Sequence, residues 1–495
     1  MRKLSTIGIL SVVIAAIGVG FFGQVRTPKR RPSPGAQTTP VKTTIDLDKA
    51  IEVNLPPTSD LKAVEFKTKD GRSGWTLRIP GNHPIATPAY ADGRIFVGGG
   101  FGSHEFYAFD ASSGELAWRI HTSDDGPTAA VVEDGCVAFN TESCTVIITD
   151  ARTGKVLWQE WLGDPLMSQP AISNGRLYMA YPAGQHGHPA NRTKGYGFRL
   201  LCADLHTGKH FWEQEIPTDV ISAPVIEGDA VYFTCMDGTS FCLDAFSGEV
   251  RWKKQNSGAS APLIVDGQVV MTQKEVTAGK TYEGIRRLDS RKGESKDMEM
   301  VAKGAAGYLN QGKGGGVAMS GGAQKAMDSS VGFSMAPQSA ELSKASSQLG
   351  VETVVGGWSY QGSRAAHANG QFFNAQGLYL NSVSGKGVTT WRAEVRVKDA
   401  GADSQIFSPP ALGAKNMYLS SAWGHLVAVG QSDGKSKFLY NFKQPIVFQP
   451  AMAQGNLYVG TANGLLVCLR TGDKDADGWS MWGGNAQHNK GLKTK

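Results

Sequence analysis

Apolar and polar positions alternate along most of this chain in short runs rich in Val, Ile, Tyr and Phe, separated by "DG", "NG" and related Gly, Asn and Asp turns. Period-two alternation with that punctuation predicts short antiparallel strands joined by tight turns, and no strong helical periodicity competes with it. The runs fall into groups. Each begins with a small residue and often Pro, passes a turn into a β-rich run, turns again, continues to D-x-x-x-G and ends near a Trp. Such groups start at Thr87, Ala129, Gln169, Ala223 and Ala261, and more diverged ones at Arg364, Pro409 and Gln449, which makes eight units.

The closing phrase is the most regular part. "AFDASSGELAW", "ITDARTGKVLW", "CADLHTGKHFW" and "CLDAFSGEVRW" end at Trp118, Trp158, Trp212 and Trp252 and carry Gly114, Gly154, Gly208 and Gly248. The 40-residue spacings Trp118 to Trp158 and Trp212 to Trp252 match one four-stranded propeller blade. One blade cannot bury both its faces, whereas eight arranged radially bury one another. The predicted fold is therefore all-β, an eight-bladed β-propeller of four-stranded antiparallel blades. "DGRSGWTLRI", through Trp75, matches the second half of a unit and precedes the first full one, while the last unit lacks a clean final strand. The N-terminal strand is expected to complete the C-terminal blade and close the ring; a linear array would need capping units instead.

The pattern D-x-x-[ST]-G-[KE]-x-x-W resembles the tryptophan motif of the pyrroloquinoline-quinone (PQQ)-like propeller superfamily, across about residues 60 to 480 and most clearly in the first four full units. That superfamily includes quinoprotein alcohol dehydrogenases and the propeller subunit of the outer-membrane β-barrel assembly machinery. The motif is a packing device, with the indole between blades and the Gly in a tight turn, so it speaks for fold and not for function. In the dehydrogenases the resemblance implies PQQ on a calcium ion near the axis, a vicinal disulfide and an Asp base. This chain has no Cys-Cys pair and no assignable set of calcium ligands, so neither PQQ nor Ca²⁺ is expected and no catalytic residue is assigned.

Of the weaker candidates, "DKDADG" places Asp473, Asp475 and Asp477 at alternate positions before Gly478, like the opening of an EF-hand-type calcium loop, but Gly484 stands where a bidentate Glu belongs. The alternative is an acidic, solvated turn. His186 and His188 form an H-x-H in an inserted loop without a third nearby ligand. Aligning the unit starts gives a second pattern. Hydroxyl residues recur just before the innermost strand, among them Ser168, Ser222, Ser260, Ser363 and Ser408, and three long polar groups follow, Gln169, Arg364 and Gln449. These positions should ring one mouth of the central channel, either because only small residues fit where eight chains converge or because they form a polar funnel for a ligand or peptide.

Composition adjusts this picture at the termini. The chain has 495 residues and a formal charge of +6, all of it accounted for by Arg2, Lys3, Arg26, Lys29, Arg30 and Arg31, so the remainder is neutral and gives no reason to expect nucleic acid. Two basic residues precede an apolar run from about Ile7 to Phe22, the layout of an export signal or membrane anchor. The basic flank argues for cytoplasmic retention, but long domains translocate regardless of it. We therefore expect an exported, periplasmic or extracytoplasmic and membrane-anchored monomer. Its segments are a signal or anchor over 1–23, a flexible tether over 24–58, the propeller over 59–480 with an insertion at 295–356, and a tail over 481–495. The insertion is rich in Gly, Ala and Ser, yet keeps Tyr308, Phe333 and three methionines, and is read as either disordered or docking. Cys202, Cys242 and Cys468 share a slot that holds Ala108 and Ile148 elsewhere, so they are expected to be packed thiols; Cys235 and Cys242 are expected to be free more readily than bridged. The functional expectation is a non-catalytic scaffold for protein partners in the cell envelope, the alternative being a PQQ- and calcium-dependent oxidoreductase.

Overall fold

A computed structural model of the chain describes residues 40–490, apart from 101, 142–143, 163–167, 184–196, 236, 256, 259, 278–279, 304–363, 399 and 401–405. The described residues form eight sheets, each built on four antiparallel strands, and, as their sole helical element, one 3-10 turn at Leu47–Lys49. Blade 1 runs outward from Ala89–Ala91 through Arg94–Gly98 and Glu105–Asp110 to Leu116–His121. Blades 2 to 7 repeat the plan over 131–161, 171–216, 225–254, 263–303, 366–396 and 411–441, and blade 8 over 451–470 with a strand from the other end of the chain.

That strand, β4 (Ser73–Arg78), follows β1 (Val41–Asp46), β2 (Ile51–Glu52) and β3 (Val64–Lys67). It pairs antiparallel with Leu465–Arg470, placing Trp75 opposite Cys468, so the N-terminal strand does complete the last blade. The tether expected over 24–58 is corrected in its described part. β1 lies parallel to the outermost strand of blade 6, β2 parallel to that of blade 7, and β3 adds to the edge of blade 8 through β4. Three blades therefore have five strands. A strand needs only alternating backbone donors and acceptors to extend a sheet edge, so a largely polar stretch such as "VKTTID", with Ile45 alone fully buried, can do it. Residues 295–303, expected at the start of the insertion, form the outermost strand of blade 5; the remainder of the insertion, the His186/His188 loop and the apolar N-terminal run lie outside the described residues.

The recurring phrase is the coupling between blades. The indole N–H of each Trp donates to the carbonyl just after the turn Asp of the next blade: Trp118 to Ala151 (3.1 Å), Trp158 to Leu205 (2.7 Å), Trp212 to Ala245 (3.1 Å), Trp252 to Ser290 (2.8 Å). Trp75 does the same to Ala111 (3.3 Å), and Trp391 donates to the Gln431 carbonyl (2.8 Å), where Gly430 stands in place of the Asp. The Gly of that next turn lies flat against the ring. At Gly154, with φ of +74°, a Cβ would stand 2.7 Å from Trp118 Cδ2, and Gly248 faces Trp212 at 2.6 Å in the same way. Only Gly satisfies both the left-handed backbone and the close approach. The turn Asp makes the local geometry: Asp244 accepts the backbone N–H groups of Phe246 and Ser247, and these bonds, with Arg251, hold its pKa down at about 2.

Between blades 7 and 8 Phe438 stands where six other interfaces carry a Trp, and Arg72 takes over the polar half of its role. Its guanidinium lies 5.1 Å from the Phe438 ring centre, and its Nε donates to the Thr471 carbonyl at 2.9 Å, the position that elsewhere receives the indole N–H. Across the strand pair from each Trp sits the variable slot: Ala108 faces Trp118, Ile148 faces Trp158, Cys202 faces Trp212 and Cys242 faces Trp252. All six cysteines are free and buried, Cys235 and Cys242 included, and burial pushes the Cys242 thiol up to about 11.

Candidate functional site: the channel mouth and the rim

Each innermost strand is three residues long or shorter, and its first and last residues pair with the second strand of the blade, as Ala89 does with Phe96 and Ala91 with Arg94. In an antiparallel pair the middle residue then turns its N–H to the other side, which in a propeller is the axis. Seven innermost strands have such a middle residue, and leaving their donors dry and unpaired along the channel would be costly.

The chain's own C-terminus meets them. Residues 473–490, expected to be an acidic turn at the end of the propeller and, from 481, a C-terminal tail, run along the inner strands. The Trp479 carbonyl accepts from Met452 N–H of blade 8 (2.7 Å) and the Ser480 carbonyl from Tyr90 N–H of blade 1 (2.7 Å). The Ala486 carbonyl accepts from Ile172 N–H of blade 3 (2.9 Å), that of Gln487 from Ile226 N–H of blade 4 (3.0 Å), and Asn489 Oδ1 from Ile264 N–H of blade 5 (2.9 Å). Side chains do the rest. Gln487 Nε2 donates to Glu133 and Asn489 Nδ2 to Glu227, while Met481 and Trp482 are buried in the core.

The predicted ring residues divide in two. The serines serve their own blades: Ser260 Oγ accepts Thr272 N–H (3.1 Å), Ser408 Oγ accepts Ser420 N–H (3.1 Å), and Ser168 Oγ donates to Ala180 (3.4 Å). Ser222 is buried with φ of +65° and accepts the Gln169 N–H, Gln169 itself being buried; Ser363 lies outside the described residues. Arg364 and Gln449 reach the C-terminal segment. Gln449 donates to the Pro409 and Pro410 carbonyls and accepts Gly483 N–H (3.3 Å). Arg364 Nη2 donates to the carbonyls of His488 and Pro262, and its guanidinium lies 5.2 Å from the Trp482 ring centre. It is buried, and burial pulls its pKa down to about 9, still high enough to keep it charged at neutral pH. His488, fully buried, has Nδ1 at 2.9 Å from the Trp482 carbonyl and Nε2 at 2.9 Å from that of Pro170. Burial, helped by the Arg364 charge, pulls its pKa down to about 4, while the two carbonyls, both acceptors, pull the other way.

The three aspartates do not converge. Asp473 accepts from Asn416 and Tyr418, Asp475 pairs with Lys415 at 2.9 Å, and Asp477 accepts Gln454 N–H. Among the described residues no group of three His, Cys, Asp or Glu side chains is placed to hold a metal ion. A quinone on calcium does not fit these residues either, because Trp482 and His488 fill the space beside Arg364. Sequence reasoning missed the C-terminal segment. Its signal was "WSMWGGNAQHN", too apolar and too rich in Trp for a solvated tail.

Exposed apolar surface lies elsewhere. Leu116, Val156, Leu157, Phe211 and Val250 stand on the outermost strands of blades 1 to 4, and Phe246, 52% exposed, on the turn before the last of them. Arg176 lies between Phe211 and Phe246, at 4.3 and 4.9 Å from the ring centres. Unlike blades 6 to 8, these four blades carry no fifth strand.

A family model described as outer membrane protein assembly factor BamB matches residues 59–188 and 145–310, together half of the chain. The chain belongs to this family of PQQ-like propellers. It is 24% identical over 184 residues to the outer membrane protein assembly factor BamB of Yersinia pestis, a stretch covering 34% of this chain and 43% of that one. The match thus spans less than half the length of that relative. A quinone alcohol dehydrogenase subunit of Gluconacetobacter polyoxogenes is 26% identical over 188 residues, 33% of this chain and 24% of the other. In fold the chain is similar to the crystal structure of BamB from Moraxella catarrhalis, with a TM-score of 0.52, 14% identity, and coverage of 82% of this chain and 98% of that one. Among the described residues no helix is long and apolar enough to cross a membrane.

Proposed function

We propose that this protein is a non-catalytic, extracytoplasmic propeller scaffold that binds protein partners of the cell envelope, in the manner of the outer membrane assembly factors it resembles. The observation that carries the reading is the division of its surface. The mouth of the channel, where a small ligand would enter, is taken up by the chain's own Trp482 and His488, while most of the exposed large apolar side chains among the described residues sit on the rim of blades 1 to 4, with Val41, Tyr379 and Val388 on blade 6. A rigid ring with an apolar, partly open edge suits a protein partner better than a small substrate. Export through the apolar N-terminal run and membrane attachment by it belong to the same proposal, as does a single propeller per molecule.

The second reading, a quinone oxidoreductase, is favoured only by the similarity to the dehydrogenase subunit. One experiment separates the two. Purified protein is incubated with PQQ and Ca²⁺ and followed by absorbance and by dye reduction with alcohols or sugars. The scaffold reading expects no retained chromophore and no turnover; a bound quinone with dye reduction overturns it.

A further inference from the structure

The C-terminal segment contacts too many blades to be a tail. Between Asp475 and Asn489 it accepts a backbone N–H from blades 7, 8, 1, 3, 4 and 5 in ring order, beginning with Ala414 N–H to the Asp475 carbonyl at 3.1 Å. Blade 2 is reached through Gln487 and Glu133, and blade 6 through Arg364 and the His488 carbonyl. Five of the donors, Tyr90, Ile172, Ile226, Ile264 and Met452, are the middle residues of innermost strands. Blade-to-blade contacts join only neighbours, whereas this segment joins blades across the axis.

Its own sequence is fitted to the place. Trp482 packs with Ala223 and Ala261, small residues that leave room for an indole. Gly483, with φ of +73°, lies so close to Arg364 Nη1 and to His488 that a Cβ would stand 2.9 Å from each. Any larger residue would push the guanidinium off the Trp482 ring.

We propose that residues 479–490 are a cis-bound strap, a peptide ligand carried by the chain, and that the channel mouth is a binding site for an extended segment with the chemistry of "WSMWGGNAQHN". Seated, the strap locks the ring and closes the mouth to other ligands. Released, it frees the axial N–H groups and Arg364 for the corresponding segment of a second copy. The inference stands independently of the partner proposed above.

Asp477 and Gly478 are exposed, so a protease site inserted between them is cut in the folded, full-length protein. The strap fragment is expected to remain bound through gel filtration and to exchange with a labelled synthetic peptide of residues 478–495. A peptide carrying Trp482→Ala and His488→Ala is expected to compete at least tenfold more weakly. In the uncut protein, Trp482→Ala is expected to speed hydrogen exchange at the Tyr90, Ile172, Ile226, Ile264 and Met452 amides by tenfold or more, with the outer strands unaffected. Release of the fragment on cleavage, equal competition by the altered peptide, or unchanged exchange at those five amides overturns the proposal.

Discussion

Replacing Gly248 by Ala tests the coupling between blades 3 and 4. The new Cβ would stand 2.6 Å from Trp212 Cδ2, 2.8 Å from Cε3 and 2.9 Å from Cγ, at a backbone φ of +77°. The left-handed conformation costs an Ala about 1 to 2 kcal/mol, and overpacking a closed contact adds about 1 to 3 kcal/mol. Gly248→Ala should therefore destabilise the protein by about 2 to 5 kcal/mol, read from urea denaturation. The decisive variant is the double one. Trp212→Ala alone loses packing and the bond to the Ala245 carbonyl, about 3 kcal/mol for a partly buried indole, but it also removes what the Cβ would strike. Trp212→Ala with Gly248→Ala should be less damaging than the two losses summed, by about 1 to 3 kcal/mol. Additivity within about 0.5 kcal/mol would refute the reasoning, because the glycine would then be needed for its backbone alone.

Four further outcomes follow from the same contacts. His210 bridges blades 2 and 3, with Glu160 at 2.8 Å and Glu213 at 3.1 Å, and the two carboxylates hold its pKa up at about 9. Its stabilisation is complete below the ordinary histidine value of about 6.5 and is lost as pH rises through about 9. The unfolding midpoint should fall over that range more steeply than in His210→Gln, and parallel curves would contradict it. Arg72→Leu removes the substitute for a Trp between blades 7 and 8 and should destabilise by about 1 to 3 kcal/mol in urea denaturation. Removing residues 1–53 strips β1 and β2 but leaves β4, so the ring should still close, at lower stability; removing 1–80 also takes Trp75 and should abolish cooperative unfolding followed by circular dichroism. A maleimide should leave all six cysteines unlabelled in the native protein and label six after denaturation.

The eight blades and their closure were legible because the interface chemistry recurs in most units: an Asp that forms a turn, a Gly that admits an indole, and the Trp that fills the space. Where that chemistry changes partners, the sequence loses it. Arg72 replaces an indole from outside the unit whose interface it completes, and no alignment of units would bring it beside Phe438. β1 and β2 join the sheet edges through their backbone and bury only isolated apolar residues such as Ile45, which leave little trace in a polar stretch. The recurring hydroxyls were visible, but their direction was not: the Oγ atoms of Ser260 and Ser408 turn into their own blades to accept a second-strand N–H. The strap was hidden for a related reason. It pairs irregularly, one carbonyl at a time, so neither period two nor period 3.6 marks it, and only its two Trp residues and buried Met hinted that it was not solvated.

Whether partners are met at the rim or at the mouth is decided by photo-cross-linking in living cells, with a reactive residue placed at Leu157, Phe211 or Phe246 on the rim and at Gln449 in the mouth. Rim positions should capture envelope proteins while the mouth position yields only links within the chain, to the strap. Capture from Gln449 with a silent rim would contradict the scaffold reading and return attention to a channel ligand.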